Sequence, residues 1–145
     1  EPAVRDEIVD RIRQLRPDSP RQWGKMTPAQ MLAHCSEATR MGLGEVNPPR
    51  VFVSYLFGAI AKRSLLREGK RMGRNAPTAP ELRISGDPVF EQERARLIAL
   101  VERFAGNGPE RCSRHPHTFF GPLTPEEWAI LGYQHLDHHL RQFDA

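Results

Sequence analysis

Residues 124–143 read "TPEEWAILGYQHLDHHLRQF". Thr124, then Pro125, then Glu127 three residues after the threonine is the pattern of a capping box with proline at the first helical position. It predicts a helix from Pro125 to about Phe143. Three of the chain's six histidines fall within five positions of this segment. At about 100° per residue, Trp128, Leu131, Gly132, His135, His139 and Gln142 lie within roughly 60° of one direction, with Phe143 at the edge of that arc. His135 and His139 therefore stack one turn apart in the apolar stripe and project inward. Asp137 is expected to face solvent and His138 to sit at the flank.

Histidines at i and i+4 are how one helix offers two imidazoles to a single metal ion. One inward histidine is ordinarily a core residue whose ring nitrogens have found partners. Two stacked ones are harder to place that way, because each needs partners once buried. A third ligand has to arrive from another helix. "TPAQMLAHCSEATRM" (Thr27–Met41) supplies one: Thr27 as N-cap, Pro28 and Gln30 form a second capping box, and the predicted helix runs to Gly42 or Gly44. Met31, Leu32, Cys35, Ala38 and Met41 define its apolar side, and His34 lies near that edge. His115 and His117 belong to the loop before the last helix. Three imidazoles from two helices would leave coordination positions open, as in catalytic rather than closed structural sites.

The remaining helices follow from periodicity. Val4, Ile8, Ile12 and Leu15 form one stripe of a first helix that stops before Pro17. Val51 to Arg67 reads as an apolar third helix. A helix restarting at "DPVFEQERARLIALVERF" takes Asp87 as N-cap and Pro88 next, with Val89, Glu93, Leu97, Leu100, Val101 and Phe104 inward. The Gly- and Pro-rich stretch from Gly69 to Pro88 reads as a long loop. No strand-like alternation, repeat or low-complexity segment appears. The expected fold is all-α: a four-helix bundle with an additional helix and Pro/Gly-rich loops, one domain over residues 1–145.

With 145 residues and a net charge of +3, the chain has its charges interspersed. The basic segment "KRSLLREGKRMGR" is short and no nucleic-acid motif accompanies it, so no nucleic-acid partner is expected. Cys35 and Cys112 form no disulfide framework, which fits a reducing, cytoplasmic setting. No apolar run reaches the length of a membrane span. The sequence opens at Glu1 rather than Met, the mark of a trimmed N-terminus. The apolar helix from Val51 to Leu66 makes a homodimer an expectation.

A histidine in the second helix, "HxxxH" in the last and the following "HLRQ" resemble the DinB-like superfamily of metal-binding four-helix bundles. "WGKMTPAQMLAHC", "HPHTFFGPLTPEEW" and "HLDHHLRQF" are similar to a bacterial subfamily of uncharacterised function within it. The resemblance implies that His34, His135 and His139 are a metal triad. Three imidazoles accept several divalent ions according to supply, zinc or nickel in the first instance and iron, manganese or copper otherwise. The resemblance further implies chemistry on a low-molecular-weight thiol and a small-molecule substrate: an S-transferase, or a related hydrolase or isomerase. Leu140 stands where many members have Arg directly after the final histidine. "HPHTFFG" looks like an "HPFFG" loop with residues inserted, in which His115 or His117 holds the equivalent place. Around the triad, Gln142, Glu37, His138 and His117 are candidates to orient a ligand or touch substrate, while Cys35 reads as a small buried hydrophobe. The competing expectation is a non-catalytic binding or stress-response protein whose metal is structural or vestigial.

Overall fold

Two helices begin with the same device. In each, a threonine hydroxyl accepts from the backbone N–H three residues on, and that residue's side chain accepts from the threonine N–H: Thr27 with Gln30 at 3.2 and 3.0 Å, Thr124 with Glu127 at 3.2 and 2.9 Å. Caps of this kind stabilise a helix by about 1 kcal/mol each. The computed structural model describes residues 2–66, 71–74 and 80–145. Its helices are α1 (Pro2–Gln14), α2 (Pro28–Gly42), α3 (Ser54–Leu65), α4 (Phe90–Asn107) and α5 (Pro125–Arg141), with 3-10 turns at Pro80–Leu82 and Pro109–Arg111. Among the described residues there is no strand, only an isolated bridge between His117 and Gly121. The fold is all-α, as expected.

α4 starts later than the sequence implies. Asp87 does not cap it. Val89 takes the N-cap position in an extended conformation and makes no side-chain cap bond. The preceding chain is drawn toward α2 instead, where the Gln30 amide donates to the Gly86 carbonyl at 2.8 Å. Glu91 and Glu93 supply negative charge to the first turn in place of a cap. Val89, expected inside, is exposed, and Phe90 is the buried anchor. α3 is also shorter than the predicted Val51–Arg67. Of the predicted loop, residues 69–70 and 75–79 lie outside the described residues, as does Arg67, the expected end of the third helix.

α1 and α2 each pack against both α4 and α5, which closes a four-helix bundle. Its core has two parts. Ile8, Ile12, Met31, Leu32, Leu97, Leu136 and Leu140 belong to one cluster, and Met41, Leu82, Trp128 and Leu131 to the other. Along α5 the second cluster gives way to the first between Leu131 and Leu136. His135 sits at that join. Asp137, expected in solvent, is half-buried because α1 lies over it: its carboxylate accepts from Arg11 at 3.1 Å and from Arg141 at 2.9 Å. Arg11 also donates to the Ala145 carbonyl at 2.9 Å, tying α1 to the end of α5.

α3 is the additional helix, docked on the loop before α5. Lys62 donates to the Pro122 carbonyl at 3.0 Å and pairs with Glu127 at 3.1 Å, and the Gln134 amide donates to the Leu65 carbonyl at 3.0 Å. Contact is closest at Gly58, where a Cβ would stand 2.3 Å from the Phe119 carbonyl oxygen. A Gly58→Ala substitution must therefore push α3 off this loop. It should cost about 1–3 kcal/mol and lower the denaturation midpoint in urea; an unchanged midpoint would show that α3 does not depend on this contact.

Candidate metal centre

His34 projects from α2, and His135 and His139 from adjacent turns of α5. The structure brings the three rings into a nearly equilateral group, with centroids 4.9 Å (His34–His135), 4.7 Å (His34–His139) and 4.6 Å (His135–His139) apart. One nitrogen from each ring lies within 4.8 Å of the others, and among the described residues this is the group that could hold a metal ion. The Nε2 atoms of His34 and His135 are 3.0 Å apart. Tetrahedral zinc with bonds of about 2.0–2.1 Å holds its donors roughly 3.3 Å from one another. The His34–His135 pair stands close to that spacing and the third nitrogen lies within 4.8 Å, so the chemistry and placement of the donor set fit such an ion.

What aims the rings is a pair of carbonyl oxygens. His34 Nδ1 lies 2.8 Å from the Leu82 carbonyl, which only accepts, so Nδ1 carries the proton and Nε2 keeps its lone pair. His139 Nδ1 lies 3.0 Å from Gln142 Oε1, with the same consequence. The Gln142 amide group is oriented in turn, because its Nε2–H donates to the Trp23 carbonyl at 2.7 Å. Gly24 gives this bond its room: its φ is +81°, and a Cβ there would stand 2.3 Å from Gln142 Nε2. Fixing the tautomer of a ligating imidazole through its other nitrogen is the usual way a protein supports a metal site. Leu82 and Trp23 act through the backbone and leave no mark in sequence. The one available signal was Pro80, which opens the 3-10 turn carrying Leu82.

Electrostatics favour neutral rings. Burial is the leading cause in each case. It lowers the pKa of His34, lowers that of His139 to about 3, and puts His135 well below the usual histidine range, with neighbouring imidazoles adding repulsion for His135 and His139. Neutral imidazole is the form that binds a cation.

The other predicted site residues divide. Gln142 reaches the triad. His138 stays outside it at the flank, as expected, buried against the His139 ring (5.0 Å) and the Trp23 ring (5.6 Å) and bonded to the backbone of Met72. Glu37 faces away from the triad, pairing with Arg40 at 3.0 Å and with Arg96 of α4 at 2.5 Å. Cys35 is buried beside Met31, and burial raises its thiol pKa, as a small hydrophobe requires. Of the two loop histidines, His117 is the one that folds inward. Its Nδ1 accepts from the Phe119 and Phe120 N–H groups at 3.1 and 3.2 Å, and its ring stacks on Phe120 at 4.8 Å. Its backbone exchanges hydrogen bonds with Gly121 at 2.8 and 3.1 Å, which closes the turn.

Over residues 3–145 the sequence matches a family model described as a protein of unknown function, DUF1569, and the chain belongs to that family. No curated protein and no solved structure matches it.

His117 gives stability a pH dependence. Burial lowers its pKa from 6.5 to about 4. Between these values the unfolded chain takes up a proton that the folded chain refuses, so stability is full above 6.5 and is lost as pH falls toward 4. Urea denaturation across this window should show the decline, and His117→Asn, which keeps an acceptor near the Nδ1 position, should make it shallower. An unchanged slope in the variant would remove His117 from the account.

Proposed function

We propose that this DUF1569 protein is a DinB-like metal-binding bundle in which His34, His135 and His139 hold one divalent ion, zinc or nickel before iron or manganese. We further propose that it carries out transfer chemistry on a small thiol, in a reducing cytoplasmic setting. The observation that supports this most strongly is the pinning of two triad rings by carbonyl oxygens, which leaves Nε2 of His34 and of His139 as acceptors beside His135.

When bound, such an ion supplies Lewis acidity that keeps a thiol or water ionised near neutral pH. The chain's own residues do the rest. The three neutral imidazoles bind without cancelling positive charge, which strengthens that acidity. Gln142 and the Leu82 carbonyl hold two of the rings in orientation. No carboxylate joins the donor set among the described residues, which leaves coordination positions for a substrate. Gly132, one turn before His135 on α5, has no neighbour within 4 Å of where a Cβ would lie. That open space beside His135 is where a small substrate would approach. Both cysteines are free, in keeping with a reducing setting. No helix among the described residues is long and apolar enough to cross a membrane.

The test is thermal unfolding of protein purified without a histidine tag. A chelator should lower the melting temperature by roughly 5–10 °C and zinc or nickel salts should restore it, the shift expected of a ligand well above its Kd. His135→Ala should respond to neither while keeping its helical circular dichroism, and should lack any thiol-transfer turnover the wild type shows. Equal melting with and without chelator in a protein holding no ion would refute the metal site. Loss of helix on removing the ion would make the site structural.

A further inference from the structure

α3 is packed inside out. Ser54 and Gly58 face the protein, whereas Phe52 (83% exposed), Val53 (47%), Tyr55 (66%), Leu56 (65%), Phe57 (55%) and Ile60 (68%) face solvent. The orientation is fixed by built contacts. Gly58 lies against the Phe119 carbonyl, and the Arg50 guanidinium donates to the Ser54 hydroxyl at 3.3 Å and to the Ser54 carbonyl at 3.2 Å. Turning the apolar side inward would put large side chains where only a hydrogen atom fits. The apolar side therefore needs another cover.

The face continues onto α5. Glu127 and Gln134 both reach α3, through Lys62 and the Leu65 carbonyl, which places exposed Ile130 on the α5 face between them and Tyr133 beside it. Together these side chains offer roughly 700 Å² of apolar surface. The largest patch on a typical monomer is about 300–600 Å², and each partner in a standard dimer gives about 800 Å². Charge next to the face is tied down. Lys62 pairs with Glu127, and the Arg50 guanidinium lies over the Tyr55 ring at 4.1 Å while it bonds Ser54. Arg63, exposed in the last turn, lies at the rim. An apolar centre with charge at the edge suits a self-complementary contact. A lipid surface would want cations spread alongside the apolar residues.

We propose that the outer face of α3, extended by Ile130 and Tyr133, is a homodimer interface in which α3 meets α3 of a second copy about a two-fold axis. The arrangement also clamps the loop carrying His117 from outside, because α3 rests on Phe119 and Phe120. Sedimentation equilibrium on the full chain tests it. Wild type should be a dimer, and Leu56→Glu and Ile60→Glu should weaken association by roughly 100-fold or more by placing an unpaired carboxylate in the contact. Phe52→Ser, which lies outside the helix, should weaken association without touching α3's own packing, so a folding defect in the glutamate variants cannot decide the result. A wild type that stays monomeric at high concentration would overturn the proposal, as would variants that dimerise unchanged. A monomer that binds phosphatidylserine vesicles through these same residues would overturn it in favour of a lipid surface.

Discussion

A buried imidazole has two nitrogens to satisfy, and in this protein the Nδ1 side of two rings is taken by carbonyl oxygens. That one constraint organises the centre of the bundle. His34 spends its proton on Leu82 and His139 spends its own on Gln142, so each keeps an unprotonated Nε2, and that of His34 lies 3.0 Å from His135 Nε2. Lone pairs converging on one point repel unless something positive or a shared proton lies between them. The surrounding structure supports this arrangement at several removes: the Trp23 carbonyl orients Gln142, Gly24 makes room for it, and the 3-10 turn at Pro80–Leu82 brings in the other acceptor. On the proposed reading, this is a site prepared for a cation by the backbone.

Much of the helical frame is legible in the sequence because helix ends are local. Thr27 and Thr124 each meet their partners three residues on, with no tertiary help, and both caps form as read. The convergence of His34, His135 and His139 is legible for a related reason: an i, i+4 pair on an apolar stripe has only one direction to face. Where a tertiary partner decides the outcome, the local reading goes astray. Asp87 has the right chemistry for a cap, yet the Gln30–Gly86 bond ties the chain just before it to α2. Asp137 lies opposite the histidines on the helical wheel, but α1 covers that side and meets it with Arg11.

The least legible features are those that use the backbone. Nothing about a leucine side chain announces that its carbonyl will receive an imidazole proton, nor about a tryptophan that its carbonyl will hold the amide of Gln142. The "HPHTFFG" loop is a similar case: with two histidines in three residues, only the fold reveals that His117 accepts two backbone N–H groups while His115 stays outside. α3 illustrates the reverse problem. Its apolar composition is plain in sequence, but a single glycine against a carbonyl decides that the apolar side looks outward.

The central claim is that three imidazoles from two helices share one ion. Elemental analysis of untagged protein tests it most directly, set beside the same measurement on His139→Ala. The account predicts close to one zinc or nickel ion per chain in the wild type and essentially none in the variant. A wild type without metal, or a variant that retains its ion, would contradict it.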